Sequence, residues 1–192
     1  MLINYFYNIF LNKYNQYKLD KIKNSMNKIG EKGIISGCGK FKNPHYISIG
    51  DNVIINERYR FEAWDSYLED TFSPQIIIGN NVCFNTDIHI GCINKIVIGD
   101  NCLFGSRIYI TDHDHGNTSS SDLSLPPIQR KLYSKGPVII ENNVYVGEGV
   151  AILSGVTIGE NSIIATNAVV TKSVPKNSLV GGVPARIIKS LI

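Results

Sequence analysis

The sequence predicts an all-β fold in which one chain winds into triangular coils of parallel strands. Three observations carry that prediction: a joint excess of Ile, Gly and Asn, a recurring tetrapeptide, and an apolar frame with a period of six. The 192 residues include 30 Ile, 13 Val, 20 Asn and 17 Gly. Branching at Cβ favours extended backbone, while Gly and Asn favour tight turns. Together they describe many short strands joined by corners rather than a helical bundle. With 43% hydrophobic and 18% charged residues, the chain has ample apolar surface to bury and is not of disordered composition.

The tetrapeptide occurs as Ile49-Gly50-Asp51-Asn52, Ile78-Gly79-Asn80-Asn81, Ile98-Gly99-Asp100-Asn101 and Ile158-Gly159-Glu160-Asn161, with Ile140-Glu141-Asn142-Asn143 as a degenerate copy. Position one of a six-residue frame falls at Ile78, Phe84, Ile90, Ile98, Phe104, Ile110, Ile140, Val146, Ile152, Ile158, Ile164 and Val170. All 12 are large and apolar. Position two is Gly in 6 of the 12, and position five is apolar or small in 10. A helix repeats every ~3.6 residues and a plain strand every ~2, so neither gives this period. A short strand followed by a corner does, with Gly where the chain turns. Three units close a coil of 18 residues, and stacked coils add parallel strands to one another.

The elements follow from where the frame holds. Residues 1–45 break it and read as a helical lead-in, with Ile3, Phe6, Ile9 and Phe10 on one helix face. Residues 1–14 could alternatively touch a membrane surface. Coils begin near Tyr46 and run to residue 181. Residues 57–75 interrupt or decorate an early coil. Residues 112–137 leave the frame as one long excursion loop, which leaves and rejoins at one corner. Long loops in compact domains are usually functional or disordered. The tail, 182–192, reads as a turn after Gly181-Gly182 and a short helix.

Bulk properties exclude several functions. A net charge of +3 without a dense Lys/Arg stripe argues against nucleic acid. Cys38, Cys83, Cys92 and Cys102 form no C-x-x-C pair, so no zinc site is expected. No apolar run approaches the ~20 residues of a membrane-spanning helix, and no signal-peptide pattern is present. The expected setting is cytoplasmic, with free thiols.

The chemistry concentrates at the loop root. His113 and His115 stand there, beside Asp112 and Asp114. A histidine held at a loop root suits a general base. An ungapped frame puts His115 at position six, the last residue before the chain leaves, and His113 at position four. The same count sets His89 on a different corner from His115, away from the pair. Three histidines would otherwise be a metal set.

Over residues 46–189 the chain resembles the hexapeptide-repeat acyltransferases. It is similar to the maltose, galactoside and Nod-factor O-acetyltransferases, and in particular to the sugar O-acetyltransferases of capsule, O-antigen and exopolysaccharide clusters. The stretch from Lys135 to Lys189 follows the family's C-terminal signature, and "ITDHDHG" its histidine-bearing stretch. The resemblance implies a left-handed β-helix, a homotrimer with active sites between subunits, and acetyl-CoA as co-substrate with no metal. It implies direct acetyl transfer to a sugar hydroxyl of a surface polysaccharide or its precursor. The catalytic base would be His115, with His113 the competing choice. A backbone N–H near Gly147 would hold the oxyanion, and Asn85 would orient the acceptor. Pantetheine would run past Gly147, Ala165 and Thr166. Thr171 and Lys172 match the family's pair near the cofactor, and Arg186 and Lys189 match its phosphate-binding residues. Tyr145 stands where many relatives have Trp, which points to a different acceptor. Trp64, Tyr59 and Tyr67 are candidates for stacking on a sugar ring, or else an aromatic cap on the coils. Alternatives are an N-acetyltransferase acting on an amino-sugar nucleotide and a metal-dependent carbonic anhydrase of the same fold.

Overall fold

Large apolar side chains every six residues can be buried together only if the chain winds around them. All 12 residues at position one are buried, none more than 2% exposed. Position five contributes Val82, Ile88, Cys102, Ile108, Val144, Val150, Val156 and Ala168 to the same core. In this computed structural model, which describes residues 13–14, 16–17, 20–36 and 38–192, the chain forms a three-faced stack of coils. Face A starts at Lys28–Ile29 and ends at Thr157–Ile158; face B starts at Ile34–Ile35; face C starts at Lys40–Lys42 and ends at Val169–Val170. The strands within the coils pair in parallel, with position one in register: Ile98 to Ile140 to Ile158 on A, Phe104 to Val146 to Ile164 on B, Ile110 to Ile152 to Val170 on C.

Asn closes the corners. Between faces A and B, Asn52, Asn81, Asn101, Asn143 and Asn161 all have φ between 56° and 59°. That left-handed conformation costs other L-residues ~1–2 kcal/mol, and Asn tolerates it best after Gly. The side chains also stack: Asn52 donates to Asn81 at 3.0 Å, and Asn81 to Asn101 at 3.0 Å.

Three expectations need correction. The stack begins one coil before Tyr46, because Ile29, Ile35 and Phe41 already pair with Ile49, Ile55 and Phe61. Surrounding Lys and Asn hide that frame in the sequence. Residues 20–23 are helical, as are 13, 14, 16 and 17, whereas the helix face from Ile3 to Phe10 lies outside the described residues. The tail is a strand, not a helix. Arg186–Ser190 pairs antiparallel with Ser178–Gly181, after a turn in which Gly182 has φ of 96°. The open edge of face B offers unpaired backbone groups, and Ile187-Ile188 suits a strand that takes them. Third, Arg60–Ala63 is an ordinary coil strand, so the decoration of the early coil is only a hairpin, Ser66–Tyr67 against Asp70–Thr71.

Each departure between coils occurs at the corner joining face C to face A. The 3-10 turn Pro44–Tyr46, the hairpin, and the 112–137 loop all leave from there. Stacked coils therefore set the hairpin beside the loop. Tyr67 donates to the Ile128 carbonyl at 2.6 Å, and Lys131 pairs with Asp70 at 2.8 Å. Among the described residues no helix is long and apolar enough to cross a membrane.

Candidate active site

The regular frame stops at Asp112. Its amide still reaches Gly91 O at 3.3 Å, and then the chain departs. The Asp112 side chain turns inward and is fully buried. Oδ1 accepts from the Ile93 amide at 2.9 Å and from His113 Nδ1 at 2.9 Å. Oδ2 accepts from the Asn94 amide at 2.8 Å and from the Cys92 thiol at 3.2 Å. Burial by itself would raise the pKa of this carboxyl; the hydrogen bonds from His113, Ile93, Asn94 and Cys92 outweigh it and hold the pKa below the ordinary value. Ser154 fastens both ends of the loop: its hydroxyl donates to Asp112 O at 2.6 Å and accepts from the Lys135 amide at 2.8 Å.

An anionic Asp112 fixes the His113 tautomer with its proton on Nδ1, which leaves Nε2 as an acceptor. His113 lines a cavity of about 270 Å³ together with Arg60, Glu62, Trp64, Tyr67, His89 and Tyr109. His115 also borders it, but is exposed on the antiparallel strand Asp114–His115, with its ring 5.2 Å from Tyr67. The ungapped frame favoured His115 because it assumed that the coil continues past Asp112. His113 is the histidine that a buried carboxylate orients.

The placement of His89 is a second correction. Position six is a face position, not a corner, so His89 stands on face C between Arg60 and Tyr109. It therefore lines the same cavity as His113. Among the described residues no group of three or more His, Cys, Asp or Glu is placed to hold a metal ion. Burial, then the Arg60 charge, lowers the His89 pKa against the pull of Glu62.

The other predicted residues divide between two corners. Thr171 and Lys172 continue the corner of His113, two coils on, and Lys172 shares a second cavity with Arg186. Asn85, Gly147, Ala165 and Thr166 lie on the corner joining B to C, one face away from His113. Lys189 pairs with Leu179 on face B, and Tyr145 is exposed there between Leu103 and Ile163. The Gly147 amide donates to Ile164 O at 2.8 Å, so it belongs to the ladder and is not free to hold an oxyanion. Tyr59 is 1% exposed and packs on Phe41 and Phe61, which makes it core rather than a sugar platform. Trp64 does line the cavity, with the Lys42 ammonium 2.9 Å from its ring centroid.

Comparison with known proteins fits this arrangement. Residues 137–172 match the bacterial transferase hexapeptide (six repeats) family, and residues 95–110 the hexapeptide repeat of succinyl-transferase. WbbJ of Escherichia coli (strain K12), provisionally named a lipopolysaccharide biosynthesis O-acetyl transferase, is 35% identical over 152 residues, covering 77% of this chain and 74% of WbbJ. The chain belongs to the hexapeptide-repeat acetyltransferases. The galactoside O-acetyltransferase of the same organism is 32% identical over 126 residues, 63% of this chain and 57% of that protein. Among solved structures, the hexapeptide-repeat acetyltransferase VCA0836 of Vibrio cholerae, complexed with acetyl-coenzyme A, has a TM-score of 0.61 at 27% identity, covering 94% of this chain and 78% of that one. A galactoside acetyltransferase in complex with coenzyme A also has a TM-score of 0.61, at 26% identity, covering 89% and 68%. The coil stack of this acetyltransferase is thus a left-handed parallel β-helix.

Sequence reasoning missed Arg60, Glu62 and His89 as cavity residues of this acetyltransferase. The available signal was the register: residues 60, 89 and 109 share one rung of face C, and 62, 91 and 111 the next outward one.

Proposed function

We propose that this acetyltransferase moves an acetyl group from acetyl-CoA to a hydroxyl of a saccharide, in a surface polysaccharide or its precursor, with His113 as the general base. The observation that carries the reading is the Asp112–His113 pair opening onto a cavity lined by aromatic and charged side chains. Rings with polar neighbours suit a sugar, which presents both C–H faces and hydroxyls. The names of WbbJ and of the galactoside enzyme support a saccharide acceptor, and the two coenzyme A complexes support the donor.

The chemistry balances without an acyl-enzyme. His113 Nε2 takes the proton of the acceptor hydroxyl as that oxygen bonds to the thioester carbonyl carbon. The C–S bond then breaks, and the imidazolium returns its proton to the leaving thiolate. Asp112 stabilises the transient imidazolium through Nδ1–H.

The two corners support a shared site. Asn85, Gly147, Ala165 and Thr166 cannot reach His113 of their own chain across a face, but a neighbouring copy in a homotrimer would bring that corner opposite His113. The coenzyme would then lie between them, with Lys172 and Arg186 toward its phosphates.

A screen of saccharide acceptors with labelled acetyl-CoA tests this reading. His113→Ala is expected to lose ~10²–10⁴-fold in kcat, while His115→Ala keeps most activity. The opposite pattern would show that the frame, not the buried carboxylate, identifies the base. Failure of every saccharide to accept label would reject the acceptor class.

A further inference from the structure

Glu62 is a buried carboxylate for which the transfer mechanism has no use. It is 2% exposed, yet it lines the cavity of His113. Lys40 Nζ donates to Oε1 at 3.2 Å and Arg60 Nη2 to Oε2 at 2.9 Å; His89 Nε2 stands 3.4 Å from Oε2. Burial acts to raise its pKa, but the hydrogen bonds and charges of Arg60 and Lys40 prevail and lower it. The group is therefore an anion held in one orientation. An ionised carboxylate has about four acceptor positions, and these three partners leave room for one more. Burying such a charge is costly to the fold, and an apolar residue would serve the coil at least as well.

Its location gives the charge a use. Glu62, Gly91 and Thr111 face outward from one rung of face C. Adjacent strands lie ~4.8 Å apart, and Gly91 has no side chain to fill its place. A methyl group there would lie 3.4 Å from His113 Cε1, so the imidazole overhangs the notch. Glu62, one strand from Gly91, and the His113 ring above Gly91 thus border the same notch of the cavity.

We propose that Glu62 reads the acceptor by taking a hydrogen bond from a second hydroxyl, neighbouring the one that His113 deprotonates. This rests on the saccharide reading above. Arg60 and His89 are positioning residues that hold the carboxylate in place. The acceptor class is then a sugar with two free neighbouring hydroxyls, rather than one with a single free hydroxyl.

The chain carries its own reporter, since Trp64 is its only tryptophan and lines the same cavity. The full chain would be titrated with methyl β-galactopyranoside and its monodeoxy analogues, reading Trp64 fluorescence. Two monodeoxy analogues should bind at least about tenfold more weakly than the parent. In Glu62→Gln the parent should weaken by a similar factor, and the deficit of one of those analogues should vanish. Equal affinity for all monodeoxy forms overturns the inference on the native chain alone, whatever the stability of the variant. So does a Glu62→Gln chain that binds the parent as the native chain does. Silence of Trp64 toward every pyranoside would overturn the saccharide reading together with this one, and so is distinguishable from failure of the Glu62 role alone.

Discussion

A fully buried carboxylate stays ionised at residue 112 because four donors reach it, and one of them is the thiol of Cys92. Removing that donor with Cys92→Ala should cost about 1–3 kcal/mol of stability, as expected when a buried charged acceptor loses a partner. Cys92→Ser retains a donor and should lose less; chemical denaturation of the two variants measures the difference. Asp112→Asn removes the charge that fixes the His113 tautomer and should lower kcat by ~10²–10⁴-fold with a smaller change in KM. The sign of the pH effect follows from the depressed carboxyls of Asp112 and Glu62. Folded, both release their protons more readily than when unfolded. Their contribution is complete above the ordinary carboxylate range near pH ~4 and is lost as pH falls through the lowered values. The thermal midpoint should therefore drop below about pH 4, and less steeply in Asp112→Asn.

At the level of the coil element, the corner between faces A and B depends on residues that accept positive φ. Asn143, with φ of 59°, tests this cleanly. Asn143→Ala should destabilise by ~1 kcal/mol, whereas Asn143→Gly should be close to neutral; urea unfolding midpoints decide. This element was the legible part of the sequence, because Ile, Gly and Asn at fixed offsets each have a local cause. The first coil was less legible: Ile29, Ile35 and Phe41 keep the period, but Lys and Asn around them mask it. The site was half legible. His113 and the loop could be read from the break in the frame. Glu62, Arg60 and His89 could not, because residues on one rung come from successive coils and the coil-to-coil separation varies. The choice between His113 and His115 depended on where the ladder ends, and that is set by the inward turn of Asp112, a tertiary event with no local signature. The short C-terminal strand escaped for a similar reason, since its partner is an edge that exists only after the stack has formed.

For the whole molecule, the separation of the two corners makes a prediction that no single chain can satisfy. His113 stands at the corner from C to A, and Asn85 with Gly147 and Ala165 at the corner from B to C. If copies are arranged around a threefold axis, each site takes its base from one copy and Asn85 from the next. His113→Ala and Asn85→Ala chains should each be nearly inactive alone. Mixed by unfolding and refolding at equal amounts, they form trimers at random, and three-quarters of those contain both variants. Each mixed ring has one junction where a chain with native His113 meets a neighbour with native Asn85. About a quarter of all junctions are then intact, and the mixture should regain about a quarter of the native rate. A site built within one chain has no intact copy in any such mixture, because every chain carries one lesion. Activity that stays at the level of the separate variants, in a sample shown to contain mixed oligomers, would therefore reject the shared site and require the coenzyme to lie along the His113 corner alone.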